Sequence, residues 1–141
     1  MSKREDIAND IVKALKNITS PRLGLVTREP IVIEEISRQA IPAVYVESAD
    51  EEREQFTAGT ARLGRISYNL DILVKSDMRD TDRNRLVEAI EEKLEEDVRR
   101  DSKALDGEVV IVEVIDPGEA VPYATMRIVY LVTYRYERGA T

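Results

Sequence analysis

Arg65-Ile66-Ser67-Tyr68-Asn69-Leu70-Asp71-Ile72-Leu73-Val74-Lys75 alternates apolar and polar residues. Ile66, Tyr68, Leu70, Ile72 and Val74 fall on one face, and Ser67, Asn69, Asp71 and Lys75 on the other. Successive strand side chains point to opposite faces, so this stretch predicts a strand buried on one side only, as in an antiparallel sheet. A sheet with one apolar face needs a cover, and the chain offers two amphipathic helices. Residues 2–18 place Ile7, Ile11, Leu15 and Ile18 on one stripe, with Ala8, Val12 and Ala14 beside it. Ser2 and Glu5 fit a capping box. Residues 81–100 carry Leu86, Ile90, Leu94 and Val98, with Val87 alongside. Asp80 and Asp82 at its start, and Arg99 and Arg100 at its end, suit the helix dipole.

Further strands flank this centre. Residues 43–47 (Ala-Val-Tyr-Val-Glu) are rich in β-formers. Residues 108–115 are mostly apolar, which predicts a strand covered on both faces. Asp116-Pro117-Gly118 is a turn signal. Residues 125–137 alternate again: Met126, Ile128, Tyr130, Val132, Tyr134 and Tyr136 share a face, with Val129 and Leu131 opposite. Tyr130, Tyr134 and Tyr136 read as core with their hydroxyls at the edge, or as a face that packs on another subunit. Leu23, Leu25 and Val26 could begin an extended segment, and between Pro30 and Pro42 the pattern fits a strand or a short helix equally. The whole predicts a single α+β domain over residues 1–141. Its sheet is four-stranded and mostly antiparallel, with two helices packed on one face.

Residues 48–64 interrupt the regular pattern. A hairpin needs about two to five residues to turn, so this stretch reads as a long charged arm projecting between two strands. It is either a mobile charged loop or an element that grips something. It holds the chain's only phenylalanine, Phe56, together with Arg53 and Arg62, and Arg65 follows it. A lone aromatic and arginines are residue types that anchor interfaces, although Phe56 could equally fold back on its own core.

Composition narrows the chemistry. The 141 residues include no histidine and no cysteine, which excludes nucleophile–histidine catalysis, disulfides and thiolate zinc sites. Gly59 and Gly64 lack the lysine and the strand-to-helix setting of a phosphate loop. Asp77, Asp80 and Asp82 could attract Mg²⁺ or Ca²⁺, or serve only to start a helix. No apolar run reaches membrane-spanning length and no signal peptide is evident, so a cytoplasmic location is expected. The net charge of −7 is uneven: residues 1–76 hold 12 acids and 11 bases, residues 77–141 hold 16 and 10. Tight binding to a nucleic-acid backbone is disfavoured. Glu88, Glu91, Glu92, Glu95 and Glu96 form either a solvated helix face or an acidic wall toward a channel or a basic partner.

These segments resemble, in order and texture across nearly the whole chain, the tail terminator proteins of long-tailed phages and related tail-like particles. The resemblance rests on the opening helix over residues 5–18 and on Arg28-Glu29-Pro30 ahead of Ile41-Pro42-Ala43-Val44-Tyr45-Val46. It continues in a charged arm that ends at Arg65 and leads into Tyr68-Asn69-Leu70-Asp71-Ile72-Leu73-Val74. The acidic helix and a closing strand ending Val132-Thr133-Tyr134-Arg135-Tyr136 complete it. The resemblance implies a structural, non-enzymatic virion protein with no cofactor, assembled in the host cytoplasm and located at the head-proximal end of the tail. It implies a homohexameric ring that caps the tail-tube protein, stops its polymerisation and docks a head-side connector protein, while DNA passes through the lumen unbound. On that reading Arg53, Phe56, Arg62 and Arg65 would face a neighbouring subunit or the tube, and the five glutamates would line the lumen. The residues leave open another head–tail joining protein, a small ligand-binding or regulatory α+β module, and a metal-dependent hydrolase built on Asp77, Asp80 and Asp82.

Overall fold

The alternating stretch lies at the centre of the molecule. In a computed structural model, which describes residues 2–32, 35–55, 59–75, 77–115 and 123–138, it belongs to a fifteen-residue strand. The elements in chain order are α1 (Lys3–Lys16), β1 (Leu25–Thr27), a 3-10 turn (Arg38–Ala40), β2 (Ala43–Gln55), β3 (Ala61–Lys75), α2 (Asp80–Glu95), β4 (Asp106–Ile115) and β5 (Tyr123–Glu137). The sheet order is β1-β2-β3-β5-β4. All pairings are antiparallel except β1 with β2.

The α+β reading holds, but the four-stranded sheet expected from the sequence is a five-stranded mixed one. The extra strand is only three residues long and pairs Leu25, Val26 and Thr27 with Ala43, Val44 and Tyr45. No periodicity can be read from so short a segment. Of the strand and the short helix considered after Pro30, the described residues show no strand and a short 3-10 helix, Arg38–Ala40. Pro30 supplies no N–H and restricts the residue before it, which favours a break there. Asp116-Pro117-Gly118 lies outside the described residues.

Both helices lie over one sheet face. Ile7, Ala8, Ile11 and Leu15 of α1 and Leu86, Ile90 and Leu94 of α2 are fully buried. They belong to one core with Ile66, Tyr68, Leu70, Ile72 and Val74 of β3 and with Met126, Ile128, Tyr130, Val132 and Tyr134 of β5. Each such aliphatic side chain contributes about 1.5–3 kcal/mol on burial. Ser2 caps α1 by accepting the Glu5 N–H at 3.3 Å, while the Glu5 carboxylate pairs with Arg28 at 3.0 Å.

The second helix stops at Glu95, short of the expected Arg100. Arg100, Asp101 and Ser102 take left-handed backbone angles (φ 48°, 57° and 66°). That conformation is costly for residues with a Cβ. The Arg100 side chain, 1% exposed, helps to hold it. Its guanidinium donates to the Leu94 carbonyl at 2.9 Å and the Asp97 carbonyl at 2.6 Å, and it pairs with Asp10 of α1 at 3.3 Å. Burial raises the Asp10 pKa above its ordinary value, and the Arg100 charge pulls the other way. A residue read as a dipole partner is therefore a buried cross-tie between the end of α2 and α1.

Tyr130 is fully buried, and its hydroxyl is among the described buried atoms with no hydrogen-bond partner. Gly107 lies against it; a Cβ there would approach the hydroxyl and stand 2.7 Å from the ring carbon Cζ. An unpaired buried hydroxyl costs on the order of 1–3 kcal/mol. Tyr130→Phe should therefore raise stability by about 1 kcal/mol in urea denaturation. Gly107→Ala should lower it by about 1–3 kcal/mol through overpacking.

Candidate assembly surfaces

Most of the expected charged arm is strand. Residues 48–55 continue β2 and residues 61–64 begin β3, paired out to Gln55 opposite Arg62, leaving residues 56–60 between the strands. β5 runs beside them to Ala61 opposite Glu137, and the Arg138 N–H donates to the Thr60 carbonyl at 2.8 Å. The arm is thus the far end of a long hairpin built into the sheet. Phe56 lies outside the described residues.

A register shift between Ser48 and Glu51 inserts one extra residue in β2. A bulge of this kind reverses which residues face the core. Before it, Val44 and Val46 point toward the helices; after it, Glu51 and Arg53 do. The Glu51 side chain is 6% exposed and is surrounded by partners. Tyr134 Oη donates to its two carboxylate oxygens at 2.9 and 3.0 Å, Arg4 pairs with it at 3.2 Å, and Arg53 Nε donates to it. Arg53 also stacks over Tyr136, 4.5 Å from the ring centroid. Lys3 donates to the Arg135 carbonyl at 2.6 Å and Tyr68 Oη to the Arg4 carbonyl at 2.9 Å. The start of α1 is therefore fastened to the hairpin.

This setting moves the local pKa values. Burial, reinforced by the Glu51 carboxylate, pushes Tyr134 up to about 12. Burial alone leads the rise to about 12 at Tyr130 and also raises Tyr68. The hydrogen bond to Glu51 holds Arg53 above the usual guanidinium value.

The expected contact arginines have partners within the chain. Arg62 donates to the carbonyls of Gly59 and Ala61, and Arg65 pairs with Glu54 at 2.8 Å. Glu88, Glu91, Glu92 and Glu95 on α2 and Glu96 at its C-cap are all exposed, with Lys93 reaching Glu96 at 3.4 Å. Asp80 lies in the first turn of α2 and accepts from Asn84 at 3.4 Å, and Asp82 pairs with Arg79 at 3.7 Å. Among the described residues no group of three potential ligands could hold a metal ion, and no helix is long and apolar enough to cross a membrane. The open sheet face carries a polar row in which Arg127 grips Asp71 at 2.6 and 3.2 Å, with Tyr45 and Glu113 as its outer members.

Apolar exposure is concentrated elsewhere. The exposed large hydrophobic residues among those described are Leu105, Val110, Ile111, Val112, Val114 and Ile115 in or beside β4, Leu25 in β1, and Val32 five residues after β1. β4 and β1 are the two edges of the sheet. The expectation that both faces of residues 108–115 are covered is therefore corrected. Val112 and Val114 are 46% and 65% exposed, although their cross-strand neighbours Ile128 and Met126 are buried. The helix layer covers β5 and leaves this end of β4 bare. Only the topology carries that information; an apolar run reads the same at the centre of a sheet and at its edge.

The chain matches no family model and no curated protein in sequence.

Two outcomes follow from the Glu51 cluster. Glu51→Ala leaves Arg4, Arg53 and Tyr134 short of a partner and should cost about 2 kcal/mol in chemical denaturation. The Tyr134 shift has a definite sign. A folded pKa of about 12, above the ordinary 10, stabilises the fold below pH 10, and that contribution is lost as pH rises from 10 through 12. Tyrosinate absorbance followed alongside circular dichroism should show stability falling in that window, where Tyr130 also titrates, and Tyr134→Phe should make the fall less steep without abolishing it.

Proposed function

We propose that this protein is a non-enzymatic structural subunit that assembles as a ring on the end of a phage-type tail tube. There it terminates tube growth and presents a docking face to a head-side connector protein. The observation that carries the reading is the placement of the exposed apolar surface at the two opposite edges of one sheet. A surface with apolar ends and a charged exterior suits head-to-tail association with further copies, which closes into a ring when the rotation between subunits permits. The resemblance to tail terminators supplies the hexamer, the tail-tube partner and the location at the head-proximal end of the virion tail.

The electrostatics support the passage of DNA through such a ring. Glu88, Glu91, Glu92, Glu95 and Glu96 form an exposed acidic ridge on α2. Facing a lumen, that ridge would repel phosphate and keep DNA from being held. In this assembly Arg53 and Arg62 on one face of the hairpin, and Arg65 on the other, would be the residues offered to a neighbour or the tube.

Negative-stain imaging and native mass measurement of the purified chain test the proposal. Closed rings of six copies are expected, and adding the protein to polymerising tail-tube protein should shorten the tubes and leave a ring at one end. A strict monomer that neither forms rings nor changes tube length overturns it.

A further inference from the structure

We infer that the ring, on the reading above, is closed by strand pairing: β4 of one copy adds to the β1 edge of the next, antiparallel, so that the sheets run on from subunit to subunit. Strand directions allow it. β1 is parallel to β2, and the pairs β2–β3, β3–β5 and β5–β4 are each antiparallel, so β4 and β1 run in opposite directions. Copies set side by side in one orientation therefore bring β4 against β1 as an antiparallel pair, with no subunit turned over.

The β4 edge has little protection besides its bulge between Val109 and Ile111. The side chains that normally blunt an edge strand are lysine, proline and inward-pointing charges. Residues 109–112 carry none of these, and Glu113, the one charge in 109–115, is the cross-strand neighbour of Arg127. The register shift between Val109 and Ile111 leaves residues 111–115 as the regular stretch available for pairing. The apolar exposure of β4 spans residues 110–115, and the three residues of β1 can pair with only part of it, so contacts beside β1 must complete the interface.

Charge selects the β1 edge as the occupant. β4 brings Glu108 and Glu113, both on the open face of the sheet, where Arg22 and not Lys16 of the helix layer would have to meet them. Beside β1 lies an open groove of about 410 Å³, lined by Lys16, Arg22, Leu23 and Leu25 among others. It pairs two cations with an apolar floor. The upper half of β2, beyond the reach of β1, presents Glu47, Asp50, Glu52 and Glu54 and would repel the β4 acids. Pairing β4 with β4 of another copy would bring acids together with no added base.

Complementary blocking tests the pairing. Val112→Lys with Val114→Lys blocks the β4 edge; Arg22→Glu with Leu25→Asp blocks the β1 edge. All four positions are exposed, and unchanged circular dichroism and melting temperature check that both variants fold. Each variant alone should sediment as the 16.0 kDa monomer. An equimolar mixture should form a one-to-one dimer and stop, because each partner keeps one good edge. A β1-blocked variant that still dimerises by itself overturns the pairing in favour of a twofold β4 contact. Wild-type rings preserved in both variants overturn it and leave the ring reading standing. Wild-type filaments that both variants abolish support the pairing and overturn ring closure. A wild-type monomer at high micromolar concentration overturns the pairing outright.

Discussion

β3 and β5 face each other over their full fifteen residues, from Ala61 opposite Glu137 to Lys75 opposite Tyr123, without a register shift. The rest of the molecule is fitted to that ladder. In an unbroken antiparallel pair, facing residues share a side of the sheet, so one slip would move every apolar side chain to the wrong face. Here the even-numbered residues from Ile66 to Val74 meet those from Ala124 to Val132, and both helices settle on the surface they make. β2 and β4 each carry a shift, and both lie on strands outside this central pair.

The shift in β2 explains a second level of organisation. By reversing the inward face, it turns Glu51 into an environment otherwise made of Tyr68, Tyr134 and the start of α1. A carboxylate there is tolerable because Tyr134 and Arg53 donate to it and the Arg4 charge lies 3.2 Å away, which is the usual condition for burying a charge. The price of that inward charge is a network that fixes the hairpin, the N-terminal helix and β5 relative to one another. Ser48 to Gln55 therefore behaves as sheet and not as an appendage.

The legible and illegible parts of the fold divide along this line. Both helices, β3 and β5 were readable because each has one buried face, and burial imposes a period of 3.6 or 2 on the residues. The outer part of β2 was not, since none of residues 48–55 is a large apolar residue, four of the eight are acids, and the bulge breaks what alternation remains. β1 was too short to show a period. The buried position of Arg100 depends on three successive left-handed residues that no composition signals. Of the candidate surfaces, the acidic ridge on α2 was visible as an i, i+4 pattern of glutamates. The β4 edge was visible as apolar sequence, but its exposure depends on strand order, which residues 108–115 do not encode by themselves.

Strand order also separates the two kinds of surface that an assembling subunit needs. Helices placed on one face leave the sheet edges for contact and present α2's acids to solvent. Were β4 central, its valines would be covered within the chain and the molecule would have one edge fewer to offer. A bare apolar edge is a hazard in isolation, because it invites indiscriminate pairing. The hazard is limited when the matching edge is short, flanked by cations and set at the opposite end of the same sheet. In the proposed pairing, Leu25 with Lys16 and Arg22 in the groove beside β1, and the β4 valines with Glu108 and Glu113, would make such a matched pair. If the proposed pairing forms, specificity would come from the charges that flank the strands, while the valines and isoleucines would supply the affinity.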